Sequence, residues 1–210
     1  MHAYYEARAR EYEEIYAKPE RQADLARLKA WLAEEAHDRA ILEIACGTGY
    51  WTAIAATTAY LILAIDCSTA SLELARSKAL GPRVDFALAD AYAPPDFACS
   101  FDCGMAHFFL SHVPNARTAD FLAHFASRLC PGAKLLLIDN AFVVGSSTPI
   151  ARRDDEGNTY QLRTLKTGER HEVLKNFPTA GEIETALSTV ASQVDVLQLT
   201  YYWAARAILA

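Results

Sequence analysis

Leu42-Glu43-Ile44-Ala45-Cys46-Gly47-Thr48-Gly49-Tyr50-Trp51 is the stretch whose reading decides the fold. It completes a short, mostly apolar run that begins at Ala40, and such a run ending in a tight turn fits a strand covered on both faces. The run then enters Gly47 and Gly49, which allow a tight turn and a close approach of backbone to ligand where a Cβ would collide. This is not the turn of a dinucleotide site. Thr52 replaces the third glycine of G-x-G-x-x-G, and the series begins on Ala45, so a pyrophosphate is poorly provided for. Glu43, just ahead of the turn, repels a diphosphate and attracts an ammonium group.

The pattern continues outward from this turn. Tyr50 to Thr58 has helical periodicity, Tyr60 to Ile65 is a second apolar run ending in Asp66, and Ser68 caps the helix that follows. Val84 to Ala89 ends in Asp90, Phe101 to Ala106 is apolar again, Phe121 to Leu129 is an amphipathic helix, and Lys134 to Asp139 is a fifth strand. Strands alternating with helices at this spacing pair in parallel through right-handed crossovers, which predicts an α/β, doubly wound fold. Ahead of this core, Tyr5 to Tyr16 and Arg21 to Ala36 are helical. Beyond it, Thr159 to Leu165 and Arg170 to Asn176 flank Lys166-Thr167-Gly168-Glu169 as a hairpin. Pro178 to Val190 returns to helix, and Val194 to Leu209 holds two strand-like runs.

Composition bounds the function. The chain has 210 residues, 52% hydrophobic and 22% charged, enough to bury one core and form one domain. Its parts are N-terminal helices (1–36), a core (40–140), a hairpin cap (141–177), and a C-terminal helix with strands (178–210). The 20 Lys and Arg stand against 26 Asp and Glu, a formal net charge of -6 that repels polyanions. No basic patch is visible along the sequence, so a nucleic-acid partner is not expected. No apolar run approaches the roughly 20 residues that span a bilayer, and the N-terminus lacks the apolar centre of a secretory signal. A cytoplasmic protein without a membrane partner, monomeric or homodimeric, is the expectation. Cys46, Cys67, Cys99, Cys103 and Cys130 form no CxxC pair or Cys/His quartet, and are read as reduced core residues. Nothing basic lies near Cys46 in sequence, which argues against a nucleophile there.

Three acids close successive strands: Glu43, then Asp66, placed to accept both hydroxyls of a ribose, then Asp90, placed to accept from an exocyclic amine. A ligand with an amine, a ribose and an adenine is implied. Here the chain resembles a class I S-adenosylmethionine-dependent methyltransferase. The family's first motif matches Glu43-Ile-Ala45-Cys-Gly47-Thr-Gly49, its ribose acid matches Asp66 in Leu63-Ala-Ile-Asp66-Cys67-Ser68, and its adenine-side acid matches Asp90 in Leu88-Ala-Asp90-Ala91-Tyr92. Phe101 to His107 and Leu129 to Ile138 match the later strands, so the resemblance covers about residues 40 to 140. It implies a Rossmann-like, mostly parallel seven-stranded sheet with a reversed C-terminal strand, and S-adenosyl-L-methionine as cofactor. Contacts are expected from Glu43, Ala45, Gly47, Gly49 and Trp51 in the first turn, from Asp66, Cys67 and Ser68 in the second, and from Asp90, Ala91 and Tyr92 in the third. Tyr5 and Tyr12, on one face of the N-terminal helix, are expected to form a lid with aromatic faces beside the sulfonium and Arg8 near a carboxylate.

The acceptor side is read from four residues. His107 and His112 follow the fourth strand, at a spacing unsuited to a metal pair, and no third ligand is apparent; no metal is expected. His107 serves the methionyl end of the cofactor or the acceptor. The segment Ala106-His107-Phe108-Phe109 lacks the acidic or Asn residue followed by Pro-Pro and an aromatic that marks nucleobase amino-methylation. Asn140 ends the fifth strand on the edge where open α/β sheets bind ligands. The hairpin, folded back as a cap, brings Tyr160, with Arg163, His171 and Asn176, over that edge. His107, His112, Asn140 and Tyr160 are therefore the candidate catalytic residues. The function that follows is methyl transfer from S-adenosylmethionine to a small molecule. Two alternatives keep the cofactor: intramolecular cyclisation to azetidine-2-carboxylate and methylthioadenosine, and a non-catalytic cofactor-binding protein.

Overall fold

A computed structural model of the chain describes residues 2–95 and 100–210. Seven strands form one sheet in the order β3-β2-β1-β4-β5-β10-β9. β1 (Ala40–Ile44), β2 (Leu61–Asp66), β3 (Val84–Leu88), β4 (Cys103–His107) and β5 (Lys134–Asn140) are mutually parallel. β10 (Tyr202–Leu209) runs antiparallel between β5 and β9 (Ala191–Gln198), and is the reversed strand the resemblance implies. Chain order runs one way from β1 to β3 and the other way from β4, so the crevice outside the carboxyl ends of β1 and β4 is the topological switch point.

Helices α2 (Gln22–Glu35) and α3 (Tyr50–Ala55) cover one face of the sheet, where Leu28, Leu32, Ile41 and Met105 are fully buried. α5 (Thr118–Ala126) and α6 (Ala180–Leu187) cover the other, where Leu42, Phe125, Leu135 and Leu187 are fully buried. α4 (Thr69–Ser77) follows β2 and is capped by the Ser68 hydroxyl, which accepts from the Ser71 N–H at 3.0 Å. No helix among the described residues is long and apolar enough to cross a membrane.

Three sequence expectations need correction. The N-terminal segment is not one α-helix: α1 (His2–Arg8) tightens into a 3-10 stretch over Ala9–Ala17. The tyrosines still meet, edge to face, with ring centroids 6.0 Å apart for Tyr5 and Tyr12 and 6.2 Å for Tyr12 and Tyr16. The hairpin of β7 (Thr159–Thr164) and β8 (Arg170–Leu174) gains a third antiparallel strand, β6 (Ile150–Arg153), because the loop at Asp154–Asn158 returns the chain along β7. Cys130 is disulfide-bonded, whereas Cys46, Cys67 and Cys103 are not in disulfides; Cys99 lies outside the described residues.

The turn between β1 and α3 is held from behind and from below. Strand alternation turns Glu43 away from Leu42 and Ile44 and toward α3, where it is 1% exposed and its Oε2 accepts the Thr52 hydroxyl at 2.6 Å. Burial, opposed by the Thr52 hydrogen bond and reinforced by the charge of Asp66, pushes the Glu43 carboxyl up to about 8. Gly49 has φ +75°, and a Cβ there would lie 3.0 Å from Ala75 Cβ; Gly47 has φ +57° with no atom within 4 Å of such a Cβ. Gly49 thus serves the approach of α4, while Gly47 leaves open space on the ligand side.

Two predictions follow. Gly47→Ala should cost about 1–2 kcal/mol for the left-handed backbone, and Gly49→Ala about 1–3 kcal/mol more for overpacking against α4. Urea denaturation giving the two variants equal midpoints would contradict this division. For Glu43, the native state keeps a proton that the unfolded chain releases above its ordinary pKa of about 4.3, so stability must fall as pH rises from there to about 8. The ligand-free wild type should therefore lose stability relative to Glu43→Gln between pH 5 and 8, by on the order of a few kcal/mol. A stability difference that stays flat with pH would count against it.

Candidate functional site

The carboxyl ends of the strands open into a cavity lined by Ala45, Gly47, Asp66, Ser68, Asp90, Tyr92 and His107, among others. Asp66 is fixed there by backbone donors: the Gly47 N–H reaches Oδ2 at 2.8 Å and the Ser68 N–H reaches Oδ1 at 2.8 Å. Each carboxylate oxygen can accept more than one hydrogen bond, the capacity that a pair of hydroxyls requires. Cys67 forms the exposed rim beside it. Asp90 is exposed on one side, and its Oδ1 accepts the Tyr92 N–H at 2.9 Å, which orients the acid with buried Ala91 between them. Ala45 and Phe108 both line this cavity with positive φ, 52° and 59°, and such left-handed backbone in non-glycine residues concentrates at functional sites.

His107 is 6% exposed, and neither of its ring nitrogens has a hydrogen-bond partner among the described residues. Burial pushes its pKa down to about 3, so it is a neutral imidazole facing the cavity with both its donor and its acceptor available to a ligand.

A second cavity, of about 440 Å³, adjoins the first between the N-terminal segment, the hairpin and the end of β5. Tyr5, Tyr12, Phe108 and His112 line both cavities and so form their common wall. A hydrogen-bonded chain sets the wall's geometry. Arg163 Nη1 donates to the Tyr5 hydroxyl oxygen at 3.2 Å, and that oxygen lies 2.8 Å from His112 Nε2. His112 Nδ1 lies 2.5 Å from the Leu174 carbonyl oxygen, an acceptor only, which assigns the proton to Nδ1 and makes Nε2 the acceptor of the Tyr5 O–H. Burial, with Lys175 and Arg163 adding repulsion, holds His112 well below the ordinary histidine range, and burial raises Tyr5. Both are neutral and mutually engaged, so neither is placed as a general base.

Behind the second cavity Asp139 is fully buried. It accepts the Ser111 N–H at 3.0 Å and the Lys175 ammonium at 2.7 Å. Burial works against the ionised carboxylate, but Lys175, His112 and the hydrogen bonds from Lys175 and Ser111 together outweigh it and hold Asp139 below its ordinary value. Asn140, at the end of the same strand, lines the cavity, with Nδ2 3.2 Å from Asp139 Oδ1 and Oδ1 3.5 Å from Arg21 Nη1.

Of the residues singled out from sequence, the structure gathers Ala45, Gly47, Asp66, Cys67, Ser68, Asp90, Ala91, Tyr92, His107, Tyr5 and Tyr12 around the first cavity, and His112 and Asn140 at or beside the second. Glu43, Gly49 and Trp51 lie behind the turn. Trp51 is 4% exposed and donates from Nε1 to the Tyr16 hydroxyl at 3.0 Å, a packing role. Tyr160 is a correction. In β7 it points away from the cavity, its hydroxyl donating to Asp154 at 3.0 Å and its ring lying under Arg152, because residues an odd number apart on a strand face opposite sides and Arg163 faces in. Asn176 is buried in backbone contacts to Thr159 and Val113. Arg8 donates to the Tyr4 hydroxyl at 2.7 Å and lines the second cavity.

Sequence reasoning missed Thr48, whose hydroxyl donates to Glu13 at 2.6 Å and ties the N-terminal segment to the cofactor turn. It also missed Arg21 and Lys175, each under a tenth exposed although cationic. The only local signal for Lys175 was its place at the end of a strand in the proposed cap. Among the described residues, no group of three or more His, Cys, Asp or Glu is arranged to hold a metal ion.

Comparison with known proteins agrees with this geometry. Residues 41–132 match the model of a methyltransferase domain. No curated protein matches the chain significantly. Among solved structures, a DhpI–SAM–HEP complex is 25% identical with a TM-score of 0.81, covering 97% of this chain and 94% of that one. A DhpI–SAH complex is 25% identical with a TM-score of 0.78, covering 97% and 92%. Magnesium protoporphyrin IX methyltransferase (ChlM) from Synechocystis PCC 6803 with bound SAM shares the fold at 16% identity, with a TM-score of 0.58 over 90% of this chain and 79% of that one. With the strand order, the matched core and the acid-tipped strands in agreement, residues 41–132 match a methyltransferase domain, carried on a fold that the chain shares with S-adenosylmethionine-dependent methyltransferases.

Proposed function

We propose that this enzyme transfers the methyl group of S-adenosylmethionine to a small molecule seated in the second cavity. The observation that carries the reading is the common wall of Tyr5, Tyr12, Phe108 and His112, which sets two ligand spaces side by side at the switch point. The residues present fit the cofactor. Asp66 would take the ribose hydroxyls, Asp90 with Ala91 and Tyr92 the adenine end, and Gly47 the close approach of backbone. His107 supplies hydrogen-bonding capacity that no described residue uses. S-adenosylmethionine supplies an electrophilic methyl group on a sulfonium.

The chain's own work is binding, orientation and exclusion of water. Neutral His107 and His112 add no positive charge against the sulfonium, and the tyrosine rings offer it negative π faces. Asn140 is placed to orient the acceptor. The N-terminal segment covers both spaces, fastened through Glu13 to Thr48 at 2.6 Å and Lys78 at 2.5 Å, and through Glu6 to the Ala70 N–H at 3.1 Å. The second cavity provides for an external acceptor, which intramolecular cyclisation does not need; cyclisation is therefore disfavoured. The DhpI structure whose description names both SAM and HEP supports a site that holds two ligands at once.

The reaction is tested by incubating the pure protein with S-adenosylmethionine and a panel of small acceptors, with mass spectrometry of the products. Methylated acceptor and S-adenosylhomocysteine should appear in equal amounts. Methylthioadenosine formed without any acceptor would establish cyclisation instead. By calorimetry, Asp66→Ala should weaken S-adenosylhomocysteine by about 1.5–3 kcal/mol through lost charge-assisted hydrogen bonds. Asn140→Ala should reduce turnover about tenfold or more with little change in cofactor affinity, while Tyr160→Phe should leave turnover near wild type. Equal losses in Asn140→Ala and Tyr160→Phe would place the acceptor elsewhere.

A further inference from the structure

The second cavity is strongly cationic in a chain whose formal net charge is -6. Arg8, Lys18, Arg21, Arg163, Lys166 and Lys175 line it, against Glu11 and Glu14. Much of that charge is uncompensated. Glu14 is taken by Lys166, and Asp139 by Lys175. Among the described residues, Arg163, Arg21 and Arg8 form no ion pair with a carboxylate within 4.0 Å.

Their present partners are neutral. Arg163 donates from Nη2 to Gln161 Oε1 at 2.8 Å, from Nε to the same oxygen at 3.2 Å, and from Nη1 to Tyr5. Arg21 is 7% exposed, donates to the Ser146 hydroxyl at 3.0 Å and to the Asn140 side-chain oxygen at 3.5 Å, and lies 5.3 Å from the Tyr201 ring centre. Glu20 reaches Arg21 only through the Ser146 hydroxyl between them. Lys175, 3% exposed, has spent two of its three ammonium donors on Asp139 and Ser111. Keeping guanidinium groups in a recess without carboxylate partners is costly, and a protein that repels polyanions overall has gathered them in the cavity that adjoins the cofactor space.

We propose that the acceptor is a small oxyanion, a carboxylate or a phosphate- or phosphonate-type acid, received by Arg163 with Arg21 and the remaining donor of Lys175 completing its cradle. The proposal rests on the methyl-transfer reading of this site and names the substrate class for it. The planar guanidinium of Arg163 presents paired donors that match such an acid in two-point contact, which an ammonium does not. An amine acceptor is disfavoured because these cations repel it, and a neutral acceptor leaves them uncompensated. An oxyanion also complements the sulfonium across the shared wall.

Calorimetry on the full chain tests this, with S-adenosylhomocysteine at saturation and inorganic phosphate, methylphosphonate, acetate, benzoate, N-methylacetamide and methylamine as titrants. At least one acid should bind, the phosphorus acids against the carboxylates showing which class, while the amide and the amine should not. Arg163→Leu should weaken the preferred acid tenfold or more, and Arg163→Lys less, with S-adenosylhomocysteine affinity within about threefold of wild type for both. Circular dichroism checks folding, and if Arg163→Leu is unfolded, Arg163→Lys and Arg163→Gln carry the comparison. Failure of every acid to bind wild type, tighter binding of the amine or amide, or unchanged acid binding in a folded Arg163 variant would overturn the proposal. Failure of S-adenosylhomocysteine to bind would count against the methyl-transfer reading instead, and the acids would then be judged by the same criteria on the ligand-free protein.

Discussion

The site depends on one hydrogen-bonded chain, from Arg163 through the Tyr5 hydroxyl to His112 and on to the Leu174 carbonyl. It joins three parts of the polypeptide that share no secondary structure: the N-terminal segment, the loop after β4 and the three-stranded cap. Because the carbonyl accepts, His112 must present a bare Nε2 to Tyr5, and because Tyr5 then donates to His112, its oxygen is left to accept from Arg163. Each link fixes the direction of the next. The chain positions the Tyr5 and His112 half of the wall, while Tyr12 and Phe108 are held by ring contacts with Tyr16 and Trp51.

The electrostatics around that wall are sorted by sign. On the cofactor side stand Asp66 and Asp90 with a neutral His107; on the other stand the arginines and the Asp139–Lys175 pair. Burial keeps both histidines uncharged, so the wall itself contributes hydrogen bonds and aromatic faces without a net charge. A site organised this way has little need of a proton acceptor. On the proposed reading, rate comes from holding two reactants in register, the contribution expected to dominate when the cofactor already carries an activated group.

Much of the core was legible because its signals are local. An apolar run ending in or near an acid reports a parallel strand and its carboxyl terminus within a few residues, as in β1, β2 and the edge strand β3, which has no buried residue. The second cavity was not legible, since Tyr5, Arg21, Arg163 and Lys175, with Asp139 behind it, are scattered along the chain and become neighbours only when the cap folds back. For the same reason an apparently patch-free sequence forms a cationic recess. Glu43 illustrates a finer limit: its position before the turn is that of the family motif, yet the pleat of β1 directs it into α3, toward Thr52. Tyr160 and Arg163 show the converse. Both lie on the strand expected to cap the site, and their odd separation already meant that only one of them faces inward.

The account stands on the claim that the cofactor's sulfur faces the shared wall. A crystal structure of the complex with S-adenosylhomocysteine measures this directly. The ribose should be held by Asp66, and the sulfur should lie against the Tyr12 and Phe108 rings, open toward the cavity that contains Arg163. A ribose bound by Asp66 with the sulfur directed away from that wall would contradict the account.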